Sequence, residues 1–267
     1  MTQPVYPSRL KTLPSMAVAG LLAAVSAAPA AAEPLSTRYD VSLIGLPVGR
    51  ASFDTTIAGN SYIVEGTLAS SGLADIVTKI KGKSRVAGRI RGTKLFADSY
   101  GLDYSSDKKT YRSAVTFRTG KVASADVAPK VTKPKTDYVP VSPTQLNSVV
   151  DPLSGLMLKG KATPESLCQR RLPFFDGWSR LDLVMSPAGT KPFSTNGYKG
   201  DVVVCNVKIE PVSGYRAASR GMKFIQRQTI ELWFAEIKNT GIFAPVYAKI
   251  PTEIGPLTLR ASVFAKN

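Results

Sequence analysis

The densest group of chemically active side chains in the sequence is a run of seven basic residues between positions 79 and 94, with no acidic residue from Ile76 to Ala97. Cations at this density attract polyanions, so one hypothesis is an anion-binding surface. The alternative is a solvated strand face, on which lysine also prevents edge-to-edge pairing. The seven residues, which we call the basic row, are Lys79, Lys81, Lys83, Arg85, Arg89, Arg91 and Lys94.

Six members of the basic row occupy odd-numbered positions, whereas Ile80, Val86 and Ile90 occupy even-numbered ones. Successive side chains of a β-strand point to opposite faces, so a strand here presents charge on one face and apolar groups on the other. A second basic group follows later in the chain, and its convergence with the first would extend the surface. It consists of Arg216, Arg220, Lys223 and Arg227.

Catalytic chemistry has little support in the sequence. Histidine is absent, which excludes an imidazole base and any metal site with a histidine ligand. Two cysteines are too few for a cysteine-only zinc site or an iron–sulfur cluster, and there is no GxSxG elbow or phosphate-binding loop. We expect no metal and no cofactor. The spacing selects no catalytic pair among the candidate acids, which are Asp40, Asp54, Glu65, Asp103, Asp176, Asp182, Glu210 and Glu231.

Residues 1–32 have the pattern of a cleaved secretory signal, in which Arg9 and Lys11 precede an apolar run at 16–28 and alanines at 30–32. The alternative is a membrane anchor, but the apolar run is too short for a comfortable span, and we expect no transmembrane segment in the mature chain. The absence of N-glycosylation motifs favours a bacterial periplasm. With a net charge of +16, an exported protein meets anionic envelope components rather than nucleic acid.

Cys168 and Cys205 are the only cysteines. An even pair in an oxidising compartment predicts a disulfide, which in the chain-entropy model stabilises by about 3–4 kcal/mol. The alternative is a redox-active or nucleophilic thiol, which is disfavoured because there is no histidine to activate it and no CxxC spacing.

The elements that must position these residues are mostly strands, since period-two patterns alternate with Gly, Pro, Asn and Asp turns. Asp176-Gly177 predicts a tight type I′ hairpin, and Asp151 with Pro152 predicts the start of a short helix. A second helical turn is predicted near Thr163. Predicted strands are 38–44, 50–57, 61–69, 84–90, 95–104, 110–118, 170–175, 178–185, 201–210, 225–235, 246–250 and 257–265.

These elements predict an all-β fold: a strongly bent antiparallel sheet, barrel-like or a β-spiral, with one short helix and one disulfide. We expect a single β-rich domain over 33–267, in which the proline-rich stretch 129–143 is a long connection rather than a domain boundary. Aromatic side chains are expected to fill the core, with the lining of an internal cavity as the alternative. They are Tyr100, Tyr104, Phe174, Phe175, Trp178, Tyr198, Tyr215, Trp233, Phe234 and Tyr247.

Several short motifs occur along the chain in the same order as in a known family. They are Gly45-Leu46-Pro47-Val48-Gly49, Asp151-Pro152-Leu153-Ser154, Phe175-Asp176-Gly177 and Pro211-Val212-Ser213-Gly214-Tyr215, together with Cys168, Cys205 and Trp233. In this order the chain resembles the exported bacterial domain-of-unknown-function 3108 family over nearly all of 36–265. The resemblance implies a barrel-like periplasmic protein with a Cys168–Cys205 disulfide and no catalytic residues to transfer. The architecture is also similar to the β-spiral envelope-integrity proteins of alphaproteobacteria.

The leading functional hypothesis is a non-enzymatic periplasmic protein that supports cell-envelope integrity. It would bind an anionic or amphipathic component, such as lipid headgroups, lipopolysaccharide or peptidoglycan, through the basic row. One alternative is a structural or chaperone-like interaction protein with an envelope protein as its partner. Another is a histidine-free enzyme acting on a glycan.

Overall fold

The structure is a computed structural model that describes residues 1–2, 34–72, 78–107, 109–132 and 134–266. The predicted signal sequence therefore lies outside the described residues, apart from its first two. In the first half the strands are β1 Leu35–Leu43, β2 Leu46–Ala58, β3 Ser61–Ser70, β4 Ile80–Arg91, β5 Lys94–Ser106, β6 Lys109–Arg118, β7 Lys121–Ala128 and β8 Tyr138–Val139.

The second half continues the strand series with two short α-helices, Pro164–Cys168 and Arg220–Ile225. Two 3₁₀ turns, Pro143–Leu146 and Ser154–Leu156, precede them. The strands are β9 Leu158–Lys159, β10 Arg170–Phe175, β11 Arg180–Thr195, β12 Tyr198–Ser213, β13 Tyr215–Arg216, β14 Ile230–Ile237, β15 Ile242–Thr252 and β16 Gly255–Lys266.

One large antiparallel sheet dominates the described residues. Its strand order is β10-β11-β12-β14-β15-β16-β1-β2-β3-β4-β5-β6-β7, with β9 added beside β15. The first and last strands of the domain are neighbours in the middle of this order, because β1 pairs with β16. The sheet is not closed by strand pairing, since β10 and β7 are its two edges. The predicted all-β fold with a bent antiparallel sheet is confirmed.

A short connecting segment that contains Val149 and Val150, which we call the gap-spanning segment, lies across the gap between the two ends of the sheet. The backbone N–H of Val149 donates to the carbonyl of Gly120 in the β6–β7 turn, over 2.8 Å. On the other side, the N–H of Val150 donates to Pro173 of β10 over 2.9 Å, and the N–H of Phe175 donates back to Val150 over 2.9 Å. Backbone groups of one segment therefore hydrogen-bond to both ends of the open sheet, which gives a barrel-like form.

The loop after β10 makes a second contact across the same gap. The Ser113 hydroxyl of β6 donates to the carbonyl of Asp176 over 2.6 Å. The Trp178 indole N–H donates to the carbonyl of Pro129, just after β7, over 3.0 Å. Two independent sets of hydrogen bonds thus hold the edges of the sheet together without pairing them as strands.

The core consists of two clusters of buried side chains. The larger fills the curve of the sheet and includes Tyr62, Val86, Tyr100 and Val115. The smaller surrounds the Cys168–Cys205 disulfide in the second half. In β3, β4 and β6 alternate residues are buried on one face only, which explains why period-two patterns predicted these strands well.

Several local predictions need correction. The hairpin between β10 and β11 exists, but its loop has four residues, since Phe175 pairs with Arg180 and the Asp176 carboxylate accepts from the N–H groups of Trp178 and Ser179. That side-chain turn replaces the predicted type I′ turn. The segment that begins at Asp151 forms only a 3₁₀ turn, because Gly155 packs against Phe174 and leaves the segment in contact with β10.

Two helical segments bear on the predictions. One replaces the start of a predicted strand, and the other confirms a predicted helical turn. The predicted strand at 225–235 starts only at Ile230, because Ile225 ends the helix Arg220–Ile225. The helical turn near Thr163 is confirmed: its hydroxyl accepts from the N–H of Ser166, which caps the helix Pro164–Cys168. Among the described residues there are therefore two short α-helices, of which Pro164–Cys168 was predicted as a helical turn and Arg220–Ile225 was not.

Candidate functional site

Strand β4 carries most of the basic row on one exposed face. Its odd-numbered cations are all exposed, whereas Val86 and Ile90 on the opposite face are 0% and 6% exposed. The alternation arises from the pleat of a strand with one buried face, and it persists past the irregularity between Ala87 and Gly88. We call this surface the β4 basic face, and its members are Lys81, Lys83, Arg85, Arg89 and Arg91.

Neighbouring strands bring acidic groups that the local sequence lacks. Arg85 lies opposite Glu65 of β3 and pairs with it over 3.0 Å, and Arg89 pairs with Asp98 of β5 over 2.6 Å. These pairs are exposed, so each contributes little to stability, but each reduces the local positive charge. The Asp98 pair and its hydrogen bond raise the pKa of Arg89 above its ordinary value. The run of unopposed charge in the sequence is therefore partly neutralised in the sheet.

Three members of the β4 basic face have no acidic partner within the described residues: Lys81, Lys83 and Arg91. Asp103 lies opposite Lys83 in register, but its carboxylate pairs with Arg112 of β6 over 2.8 Å. Arg91 lies directly opposite Lys94 at the start of β5, and like charges in that position repel. An anion bound near this pair would relieve the repulsion.

The two ends of the basic row lie outside β4. Lys79 precedes the strand, and its backbone N–H donates to Asp107 over 3.0 Å. Lys94 starts β5 after a two-residue turn and lines a cavity. The predicted strand 84–90 begins earlier than expected, at Ile80, and a turn separates it from Lys94, because Gly92, with a φ of 57°, turns the chain there.

The second basic group lies on other elements. Arg216 of β13 pairs with Asp137 over 3.1 Å, and the hydrogen bond from Arg216 lowers the pKa of that carboxyl group. The helix that contains Arg220 and Lys223 contacts β15, which four strands separate from β4 in the sheet order. Neighbouring elements therefore do not join the two basic groups into one surface.

A cavity of about 500 Å³ lies at the gap between the sheet ends. Its walls come from the start of β5, the β6–β7 turn, the gap-spanning segment, β9 and the first half of β10. Four of its lining residues are basic and none is acidic: Lys94, Lys159, Arg170 and Arg171. Sequence reasoning missed this site because only Lys94 belongs to the basic row, and the fold brings the other three from more than 60 positions away.

Asp151 is a buried carboxyl group beside this cavity that the sequence predicted only as a helix cap. Its Oδ1 accepts from the N–H groups of Leu153 and Ser154, each over 2.9 Å. Its Oδ2 has no hydrogen-bond partner among the described residues. The Ser154 hydroxyl shares a hydrogen bond of 2.6 Å with the hydroxyl of Tyr62. Burial raises the pKa of Asp151 above its usual range.

Each of the eight candidate catalytic acids is engaged with a neighbour. Asp182 and Glu210 lie opposite each other in β11 and β12, but Arg171 binds both, over 2.7 and 2.5 Å, and the buried Arg180 also binds Asp182. The partners of the others are Arg50 for Asp40, Ser36 for Asp54, Arg85 for Glu65, Arg112 for Asp103, backbone N–H groups for Asp176, and Lys191 with Trp233 for Glu231.

The two cysteines are bonded to each other in the core. Cys168 and Cys205 form a disulfide with a Cα–Cα distance of 5.4 Å, and both are fully buried. The predicted disulfide is confirmed, and the reactive-thiol alternative fails because both sulfur atoms are bonded. Within the described ranges, no group of three or more Cys, Asp or Glu side chains is placed to hold a metal ion.

The aromatic side chains divide between core and surface. Tyr100, Phe175 and Phe234 are buried core residues. Phe174, whose outward position would suit a lipid contact, packs instead against the smaller core cluster and Gly155. Trp178 stays partly exposed beside Tyr111, with ring centroids 6.4 Å apart. Most of the set therefore stabilises the fold.

Comparisons with known proteins place the fold but not the function. The chain is similar to the crystal structure of a beta-barrel-like protein of domain of unknown function DUF1849 from Brucella abortus, with a TM-score of 0.56 and 10% identity. That alignment covers 89% of this chain and 99% of that one, and it shows a shared fold alone. No curated protein matches the chain.

The family described as "Protein of unknown function (DUF3108)" matches residues 38–262. The match begins within β1 and ends within β16, so it includes most of the large sheet, the disulfide and the cavity. This confirms the resemblance drawn from the order of short motifs. The chain belongs to the DUF3108 family.

Proposed function

We propose that the mature chain is a non-enzymatic periplasmic protein that supports cell-envelope integrity by binding an anionic or amphipathic envelope component through the β4 basic face. The observation that carries this proposal is that Lys81, Lys83 and Arg91 lie exposed on one face of a single strand without acidic partners in the described structure. A bound anion would supply the countercharge that the sheet does not.

One further observation supports an exported location. The buried disulfide is of the kind that forms and persists in oxidising compartments. No helix in the described part of the chain is long and apolar enough to cross a membrane. The signal sequence itself is part of the proposal, and N-terminal sequencing of the exported protein would test cleavage after residue 32.

Sedimentation with vesicles tests the binding surface. The mature, oxidised protein is mixed with vesicles of zwitterionic lipid, of zwitterionic plus anionic lipid, and of the latter with lipopolysaccharide, at low and physiological ionic strength. We expect binding to the two anionic preparations that weakens with salt, because exposed charges are screened over about 8–10 Å under physiological conditions. Binding should fall strongly in the triple variant Lys81→Glu, Lys83→Glu, Arg91→Glu.

The matched control reverses three exposed lysines elsewhere, with the same change in net charge: Lys199→Glu, Lys208→Glu and Lys238→Glu. Equal loss of binding in both triple variants would show that only net charge matters, and it would overturn the β4 basic face as the site. Absence of binding by the unmodified protein to any vesicle would reject the proposal. Cross-linking in the periplasm would then test the alternative of a protein partner.

A further inference from the structure

The cavity at the gap between the sheet ends combines unneutralised cations with an apolar wall. Arg171 is neutralised, since Asp182 and Glu210 both bind it. Lys94, Lys159 and Arg170 make no ion pair with any described residue. Three cations therefore line this concave space, which has no acidic lining residue to balance them.

Arg170 is the most informative of these cations because it is half-buried. Its guanidinium donates to the carbonyl oxygens of Ser166, over 2.5 Å, and of Lys159, over 3.5 Å. Burial lowers the pKa of Arg170, in agreement with a charge that is partly removed from water and lacks a carboxylate. Carbonyl dipoles only partly balance the charge of the Arg170 guanidinium, and an anion in the cavity would supply the missing countercharge.

An apolar part of the wall suits a hydrocarbon chain. Leu95, Val149, Met157 and Leu158 line the cavity and are otherwise buried in the core. Binding pockets for small molecules are commonly apolar, with a few polar groups that fix orientation, and their volumes run from about 300 to 1,000 Å³. This cavity, at about 500 Å³, lies in that range.

We infer that the cavity binds an amphipathic anion: one alkyl or acyl chain with a carboxylate or phosphate head group. The head group lies against Lys94, Lys159 and Arg170, and the chain lies against the apolar wall. The inference goes beyond the β4 basic face, because the cavity is enclosed by residues from both halves of the chain and holds a single molecule rather than a membrane surface.

Calorimetric titration with dodecyl compounds below their micelle concentrations tests the inference. The probes are dodecanoate, dodecyl phosphate, dodecyltrimethylammonium and inorganic phosphate. We expect saturable binding of one or both anionic amphiphiles, with the tighter one identifying the preferred head group. The cationic amphiphile and inorganic phosphate should bind at least about tenfold more weakly, because the first lacks an anionic head group and the second lacks an alkyl chain.

The variant Lys94→Gln, Lys159→Gln should weaken binding of the anionic amphiphile by about tenfold. Its matched control is Lys199→Gln, Lys208→Gln, and thermal unfolding of both variants shows that they fold. Unchanged binding in the cavity variant overturns the inference, as does equal affinity for the cationic amphiphile or for inorganic phosphate.

The two binding proposals fail separately. The double variant Lys81→Glu, Lys83→Glu weakens the β4 basic face and leaves Arg91, which lies opposite Lys94, in place. It should still bind the anionic amphiphile. The cavity variant should still sediment with anionic vesicles, since it leaves Lys81, Lys83 and Arg91 in place. Loss of amphiphile binding in the Lys81→Glu, Lys83→Glu variant would mean that the cavity cations do not recognise the head group by themselves, which contradicts the inference.

Discussion

At the residue scale, Asp151 is a carboxyl group that the fold removes from water. Its side chain is fully buried, one carboxylate oxygen caps the 3₁₀ turn, and the other lacks a partner among the described residues. Desolvation raises its pKa because the charged form loses hydration that two backbone N–H groups do not replace. Burial therefore shifts the protonation equilibrium of Asp151 toward the neutral form, relative to an exposed aspartate.

The sign of the pH dependence follows from that shift. In the unfolded chain Asp151 ionises at its ordinary pKa, whereas in the folded protein it keeps its proton to higher pH. The free energy of unfolding should therefore decrease as pH rises above the ordinary aspartate range, until the folded group ionises as well. Asp151→Asn, which stays neutral, should lose this decrease and gain stability relative to the wild type toward neutral pH.

Urea denaturation of wild type and Asp151→Asn at several pH values between about 4 and 8 measures the difference. Effects of other titrating groups, including Asp176, cancel when the two profiles are subtracted. Asp201→Asn, at an exposed position, is the control and should run parallel to the wild type. Parallel profiles for Asp151→Asn as well would show that its carboxyl group is not perturbed in the folded protein.

At the scale of single elements, β4 supports two surfaces at once. Its outward residues form the basic face, and its inward residues close the larger core cluster. Gly82 and Gly88 both belong to the inward set, but they have different surroundings. A Cβ on Gly88 would come within 2.5 Å of the Tyr62 hydroxyl and would also collide with the carbonyl of Phe96. A Cβ on Gly82 would make only ordinary contacts, the nearest at 3.7 Å.

Gly88→Ala should therefore destabilise the protein by about 1–3 kcal/mol, because the displaced Tyr62 also loses its hydrogen bond to Ser154. Gly82→Ala, in the same strand and on the same face, should change stability by less than about 0.5 kcal/mol. Chemical denaturation of both variants is the measurement. Equal effects of the two substitutions would contradict the close packing at Gly88.

At the scale of the whole molecule, the open sheet depends on contacts that hold its edges. The gap-spanning segment and the loop after β10 supply these contacts on one side. The disulfide also restrains edge strand β10. Cys168 ends the helix that leads into this strand, and Cys205 lies in β12. It thereby fixes the strand that forms one wall of the cavity.

Removal of the disulfide should have two consequences. The double variant Cys168→Ala, Cys205→Ala should lose about 3–4 kcal/mol of stability, because the unfolded chain gains the freedom of the opened loop. The wall of the cavity should also loosen, so amphiphile binding should weaken while vesicle binding through the β4 basic face persists. Denaturation in urea and calorimetric titration measure the two effects. Full stability in the double variant would show that core packing alone holds β10.

The sequence by itself determined most of the strands, the disulfide and the exposure of the basic row. Each of these rests on local information: period-two alternation, an even pair of cysteines, and charge on alternate residues of one strand. Strand β7 was missed because most of its residues are exposed and its valines and alanines do not alternate regularly with polar residues. The Asp151 helix failed because contact between Gly155 and Phe174 overrides a good capping signal.

Only the tertiary structure decided which charges remain unpaired. Glu65 and Asp98 reach Arg85 and Arg89 through strand register, a property of the sheet rather than of the local sequence. The cavity likewise requires β5 and β10, which lie far apart in the chain, to meet at an open gap. Composition fixes how many cations a chain carries, but their countercharges and enclosure depend on long-range contacts, which a sequence pattern does not contain.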